Sequence, residues 1–165
     1  MIPFRLRIIV LVLALVAVGC SRPLPTRGSS RVAAQLDTIA QNVVAGKIGI
    51  IEVTQVSLSR EFIVAVSPQT LDNVWDYQFV IRHELSSRGP KIASVLKAAD
   101  VDEASSFGDL RWKVVFYSSD NRSMGELYFD GAGRKGLVNK IPVSYRLDFW
   151  VRLRHALDLS FDALP

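Results

Sequence analysis

The amino-acid sequence predicts an α+β fold: a largely antiparallel sheet of about five to six strands packed with two to three helices in a single domain. Three observations carry that expectation. Short runs of alternating or β-branched residues recur at hairpin spacing. Single runs with apolar residues every three or four positions separate them. A 165-residue chain is also suited to one core. Strands that follow one another through short turns pair antiparallel, because parallel neighbours need a long crossover.

Each element has its own local signal. From Arg31 to Lys47, Ala33, Leu36, Ile39, Ala40, Val43 and Val44 fall near one helical face, and Gly46 can stop the helix. Ile48 to Val56 is β-branched. Arg60 to Val66 alternates, with Phe62, Val64 and Val66 on one side, so the two segments predict a hairpin turning through Leu58 and Ser59. Ser67-Pro68 reads as an N-cap with proline in the first helical position, opening a short helix to Trp75. Tyr77 to Leu85 alternates cleanly, placing Tyr77, Phe79, Ile81, His83 and Leu85 on one face. Gly89-Pro90 reads as a break before a helix from Lys91 to Ala99, followed by an acidic loop from Asp100 to Asp109. Trp112 to Tyr117 is a strongly apolar, interior strand. Ser118 to Ser123 is a polar turn, Gly125 to Phe129 a strand, Gly131 to Gly136 a tight turn and Leu137 to Val143 the last strand. Tyr145 to Leu159 closes the chain as a helix with Leu147, Trp150, Val151 and Leu157 inward.

The first thirty residues speak of address. Arg5 and Arg7 with no acid make a short positive start, and Ile8 to Val18 follows without a charge. That run is shorter than the ~20 helical residues that cross a bilayer core, and has the length of a signal-peptide apolar segment. It ends in Ala17-Val18-Gly19-Cys20, which resembles the lipobox of bacterial lipoprotein precursors, with Ala17 where the family prefers Leu. The resemblance covers residues 1–20. It implies cleavage of 1–19 as a signal peptide and acylation of Cys20, the sole cysteine, as the lipidation site. Ser21 follows in place of the Asp that marks inner-membrane retention in such lipoproteins. The implied location is therefore the periplasmic face of the outer membrane, or the outer face of the plasma membrane in a Gram-positive host. Residues 20–31 combine Pro, Gly and Ser with Arg22, Arg27 and Arg31 as a flexible tether, and 32–165 form the domain.

Cleavage would remove two arginines and no acid, lowering the formal net charge from +4 to +2. That balance calls for no nucleic-acid partner. With its one cysteine acylated, the mature chain has no internal disulfide, and the fold rests on its apolar core.

No motif with catalytic spacing emerges. Gly131-Ala132-Gly133-Arg134-Lys135-Gly136 matches the letters of a dinucleotide loop, but a β-branched run with Pro142 follows instead of a helix. A hairpin turn is the expectation, with Arg134 and Lys135 at its tip able to touch an anionic partner. His83 lacks companions at metal-ligand spacing, and His155 is the only other histidine. Asp100, Asp102, Glu103 and Asp109 lack the order of a calcium loop, and Asp109-Leu110-Arg111 suits a structural ion pair. The serines lie in neither G-x-S-x-G nor S-x-x-K. Catalytic, cofactor and metal residues are therefore expected to be none. His83, Trp75, Arg134 and Lys135 are the candidate partner-binding residues.

The expected function is a non-catalytic, protein-binding domain anchored to a membrane through lipid on Cys20. An accessory subunit of an envelope complex and an immunity or inhibitor protein both fit. The alternatives are a cell-envelope hydrolase using His83 with a carboxylate, and a small-ligand carrier using the concave face of the sheet.

Overall fold

The computed structural model of the chain describes residues 31–82, 85–146 and 148–159. The segments expected to be signal peptide and tether, residues 1–30 with Cys20, lie outside the described residues, as do His83 and Leu147. The elements run α1 (Arg31–Val44), β1 (Ile48–Gln55), α2 (Pro68–Asn73), β2 (Tyr77–Ile81), α3 (Leu85–Lys97), β3 (Val101–Glu103), β4 (Leu110–Ser118), β5 (Ser123–Asp130), β6 (Lys135–Val138), β7 (Ile141–Tyr145) and α4 (Phe149–Leu157). They form an α+β domain around one seven-stranded sheet of order β2-β1-β4-β5-β6-β7-β3, every neighbour antiparallel. Strands and helices each slightly exceed the expected number.

Helix α1 buries Val32, Leu36, Ile39, Ala40 and Val43 on one face. It ends where Gly46 adopts φ 67°, and the amides of Gly46 and Lys47 donate to the carbonyls of Val43 and Asn42. This is the paired closure that a left-handed residue makes possible. Ser67 caps α2 as expected: its hydroxyl accepts the Thr70 amide at 3.2 Å, with Pro68 in the first turn.

Helices α1, α3 and α4 cover one sheet face. Ile51, Val53, Ile81, Trp112, Val114, Phe116, Leu127, Phe129, Val138 and Val143 meet them there in the main core. An aromatic group ties α4 to the sheet: the Phe129 ring lies 4.3 Å from Trp150, 4.7 Å from Tyr145 and 5.9 Å from Phe149. The buried Tyr145 hydroxyl donates to the carbonyls of Leu137 (2.8 Å) and Tyr128 (3.2 Å), so its burial leaves no orphan group. Burial, and then Asp130, holds the Tyr145 phenol well above its ordinary pKa.

Five readings of the sequence are corrected. Arg60–Val66 is not a strand. Both edges of β1 are occupied, by β2 (Ile51 opposite Ile81 through Gln55 opposite Tyr77) and by β4, so no hairpin through Leu58 can form. Gly89-Pro90 does not break the chain but lies inside α3, because Gly89 packs on Val43 of α1 and Leu85 reaches the core; burial outweighs the lost proline hydrogen bond. The acidic stretch contributes β3, paired with β7 from Val101 opposite Tyr145 to Glu103 opposite Val143. The last strand is two strands, β6 and β7, turned by Asn139 and Lys140 at φ 45° and 74°. In α4, Val151 faces out, because the buried arc runs Phe149, Trp150, Leu153, Ala156, Leu157.

Candidate functional site

The opposite sheet face is covered by the loop Ser57–Val66 and the six-residue α2. A small second core lies beneath them: Val56, Val66, Leu71, Leu110, Tyr128 and Leu137, with Phe62 half-buried against it. The loop is braced from the start of β4. Arg111 Nη1 donates to the carbonyls of Ser57 (3.0 Å) and Arg60 (2.8 Å), and its Nε donates to Asp109 Oδ2 at 2.7 Å. Asp109 Oδ1 accepts the Val66 amide at 2.7 Å. Backbone bonds from Val56 to Arg111 and from Leu110 to Val66 close the two ends. The guanidinium groups of Arg60 and Arg111 each lie 5.3 Å from the centre of the Phe62 ring. Asp76 completes the brace, accepting the Ser57 amide at 2.8 Å and pairing with Arg60 at 3.0 Å. The expected Asp109–Arg111 ion pair is present, and its work is to hold this loop.

With Phe62 and Val66 turned inward, the loop presents Leu58, Ile63 and Val64 outward at 60, 105 and 75 % exposure. Burying each would be worth about 1.5–3 kcal/mol. A loop closed at both ends and packed by its own side chains is the kind that carries function. Its apolar tip is a candidate contact surface.

The candidate partner residues fall around the same end of the sheet. Trp75 is 45 % exposed in the turn next to Asp76, which ties it to Ser57 and Arg60. Arg134 and Lys135 are exposed at the β5–β6 hairpin, whose Gly131 lies against Leu58. His83 lies outside the described residues. Leu58, Ile63 and Val64 were invisible as site residues, since Leu58 suits a hairpin turn and Ile63 and Val64 suit a strand.

The glycine-rich run is the expected hairpin turn. Gly133 adopts φ 68°, and any side chain there would strike the Trp150 ring; one at Gly136 would strike the Tyr128 carbonyl on β5. The acidic residues do not converge: Asp100 pairs with Arg146, Asp109 braces the loop, and Asp102 and Glu103 are exposed on β3. Among the described residues no group of three or more His, Cys, Asp or Glu is placed to hold a metal ion. Serine hydroxyls engage locally, Ser57 with Ser59 and Ser118 with Asp120. Trp150 and Tyr128 are buried, Tyr77 and Tyr117 half-buried, and Trp75 exposed.

Among the described residues no helix is long and apolar enough to cross a membrane. No protein-family model, curated protein or solved structure matches the chain.

Proposed function

We propose that the chain is a lipoprotein held through acylated Cys20 at the periplasmic face of the outer membrane. Its α+β domain is a non-catalytic protein-binding module, serving an envelope complex as accessory subunit or inhibitor. The anchor rests on the n-region, apolar run and lipobox-like Ala17-Val18-Gly19-Cys20, with Ser21 supporting the outer membrane. The Pro- and Ser-containing tether, at ~3.3 Å per extended residue, lets the domain reach a partner tens of ångströms from the bilayer.

One observation carries the binding role: the loop Ser57–Val66 is fastened by Arg111, Asp109 and Asp76, yet leaves Leu58, Ile63 and Val64 in water. A preorganised loop loses little freedom on docking, so the burial of these side chains is retained as affinity. Arg60 and Arg134 beside it suit a partner whose rim carries acids.

Two measurements test this. Cys20→Ser should move the protein from the membrane to the soluble periplasmic fraction and abolish palmitate labelling; unchanged fractionation would remove the anchor. Wild-type protein cross-linked in intact cells should yield a defined partner that the Ile63→Asp/Val64→Asp variant does not yield. Equal recovery by both would remove the loop from the interface.

A further inference from the structure

The two edges of the sheet meet solvent differently. The order β2-β1-β4-β5-β6-β7-β3 leaves β2 and β3 outermost. A strand edge carries unpaired N–H and C=O groups, and proteins guard it with short length, charge, proline or a bulge. β3 is guarded: it has three residues, and Asp102 and Glu103 are exposed. β2 has none of these devices. Tyr77-Gln78-Phe79-Val80-Ile81 contains no charge and no proline, pairs with β1 in unbroken register, and leaves Val80 47 % exposed. Among the described residues no strand pairs with its outer edge.

A groove of about 660 Å³ lies beside this edge. Consecutive residues from Gln78 to Arg82 line it, so it follows the strand rather than one of its faces. Leu157 and Leu159, at the end of α4, line it as well. Arg88 of α3 fastens that end of α4, donating to the Leu157 carbonyl and to Asp158, both at 2.9 Å. Phe79 and Ile81 belong to the helical side of β2, where they meet the main core, and alternation puts the half-buried Tyr77 on the same side.

The charges flanking β2 identify an occupant. Asp76 precedes the strand and Arg82 follows it. When two copies of β2 pair antiparallel about Phe79, Tyr77 lies opposite Ile81, Gln78 opposite Val80, and Asp76 of each copy opposite Arg82 of the other. Centring the pair one residue either way sets Arg82 opposite Val74 or Gln78 instead. Arg82 is exposed and makes no ion pair among the described residues. Asp76 accepts the Ser57 amide on one oxygen and Arg60 on the other, and a carboxylate has lone pairs for further donors.

We infer that the β2 edge binds a second copy of this chain, strand β2 against strand β2, about a two-fold axis through Phe79. The two seven-stranded sheets become one, and an Asp76–Arg82 ion pair closes each end of the joint. Opposed residues of a strand pair share a face, so Tyr77 of the copy stands beside Ile81 at the groove, next to Leu157 and Leu159. Tyrosine is a favoured interface anchor. The contact is isologous and closed, and it covers both open edges at once. Leu58, Ile63 and Val64 take no part in it, so it stands independently of the partner-binding reading.

Disulfide cross-linking in detergent-solubilised membranes tests the register, with wild type, whose sole cysteine is Cys20, as background. Gln78→Cys/Val80→Cys should give a covalent dimer under mild oxidation, because opposed Cβ atoms approach disulfide distance. Gln78→Cys or Val80→Cys alone should give far less, since each then lies diagonal to its copy. The purified full chain should sediment as a monomer–dimer equilibrium in the micromolar range. Arg82→Glu sets acid against acid at both ends and should weaken the dimer about ten-fold. Arg82→Lys and Ile63→Asp/Val64→Asp should dimerise like wild type. A wild type that stays monomeric would overturn the inference, whether the double-cysteine variant then joins a different protein or the β2 amides are protected from exchange by another part of the same chain. Single-cysteine variants that cross-link as fast as the double, an unweakened Arg82→Glu dimer, or loss of the dimer on Ile63→Asp/Val64→Asp would overturn it too.

Discussion

The two faces of the sheet are built on different terms. On one, α1, α3 and α4 bury a continuous apolar layer with Phe129, Tyr145, Phe149 and Trp150 in contact. On the other, a loop and one short helix cover six buried residues and leave polar and apolar groups facing water. The first face supplies cohesion through area, since apolar burial scales with surface removed from water. The second is held by named polar contacts. Polar contacts fix geometry at little net gain in stability, which suits a surface that must keep one shape without being covered. The proposed binding surface lies on the face where packing is thin.

Substitutions should separate the faces by size of effect. Phe129→Ala removes the centre of the aromatic group and should cost about 3–5 kcal/mol, whereas Leu71→Ala in the shallower cluster should cost about 2 kcal/mol. Denaturant unfolding of both reads the difference, and equal costs would dissolve the contrast. Arg111→Met should cost about 1–3 kcal/mol, because it strips the donors from the Ser57 and Arg60 carbonyls. Its specific signature is faster amide exchange confined to Ser57–Val66; exchange spread across the helical face would show that the brace serves the whole fold.

Tyr145→Phe should cost about 1 kcal/mol, the net worth of a typical buried hydrogen bond. It also carries a pH signature. Burial raises the phenol's pKa in the folded state above its unfolded value of about 10. The unfolded chain thus releases its proton first as pH climbs, and the stability Tyr145 provides is complete below pH ~10 and lost above it. Tyr128, raised by burial and then by Glu126, acts in the same direction. Wild-type stability should fall above pH ~10, and more steeply than that of Tyr145→Phe; parallel profiles would contradict the assignment. Smallest in stability is Ile63→Asp, expected within about 0.5 kcal/mol because the side chain is already in water. A large destabilisation there would mean that the loop tip serves folding rather than contact.

Legibility in the sequence followed the range of the interaction responsible. Gly46 ends α1 and Ser67-Pro68 begins α2 through contacts among immediate neighbours, and the sequence shows both. The chain from Arg60 to Val66 has the alternation of a strand, and only the pairing of β1 with β2 denies it a place in the sheet. Gly89 reads as a breaker until α1 is packed against it. β3 is too short and acidic to show a pattern, and it exists because β7 offers an edge. At the site, Arg134 and Lys135 were recognisable as exposed types, whereas the exposure of Trp75 and the outward turn of Ile63 and Val64 depend on which neighbours, Phe62 and Val66 among them, take the inner positions.

By itself, then, the sequence determined the α+β class, the cap residues, the interior character of β4 and the hairpin at Gly131–Gly136, all encoded in short-range periodicity and turn chemistry. The lipobox-like segment around Cys20 belongs to the same kind of information, a local pattern that implies an address. Tertiary structure alone decided which apolar residues stay in water and where Arg111 and Asp109 direct their hydrogen bonds. Those outcomes join residues far apart along the chain, as Asp109 and Arg111 are from the Ser57–Val66 loop. They follow from competition for a limited number of strand edges and sheet faces, which no local window contains.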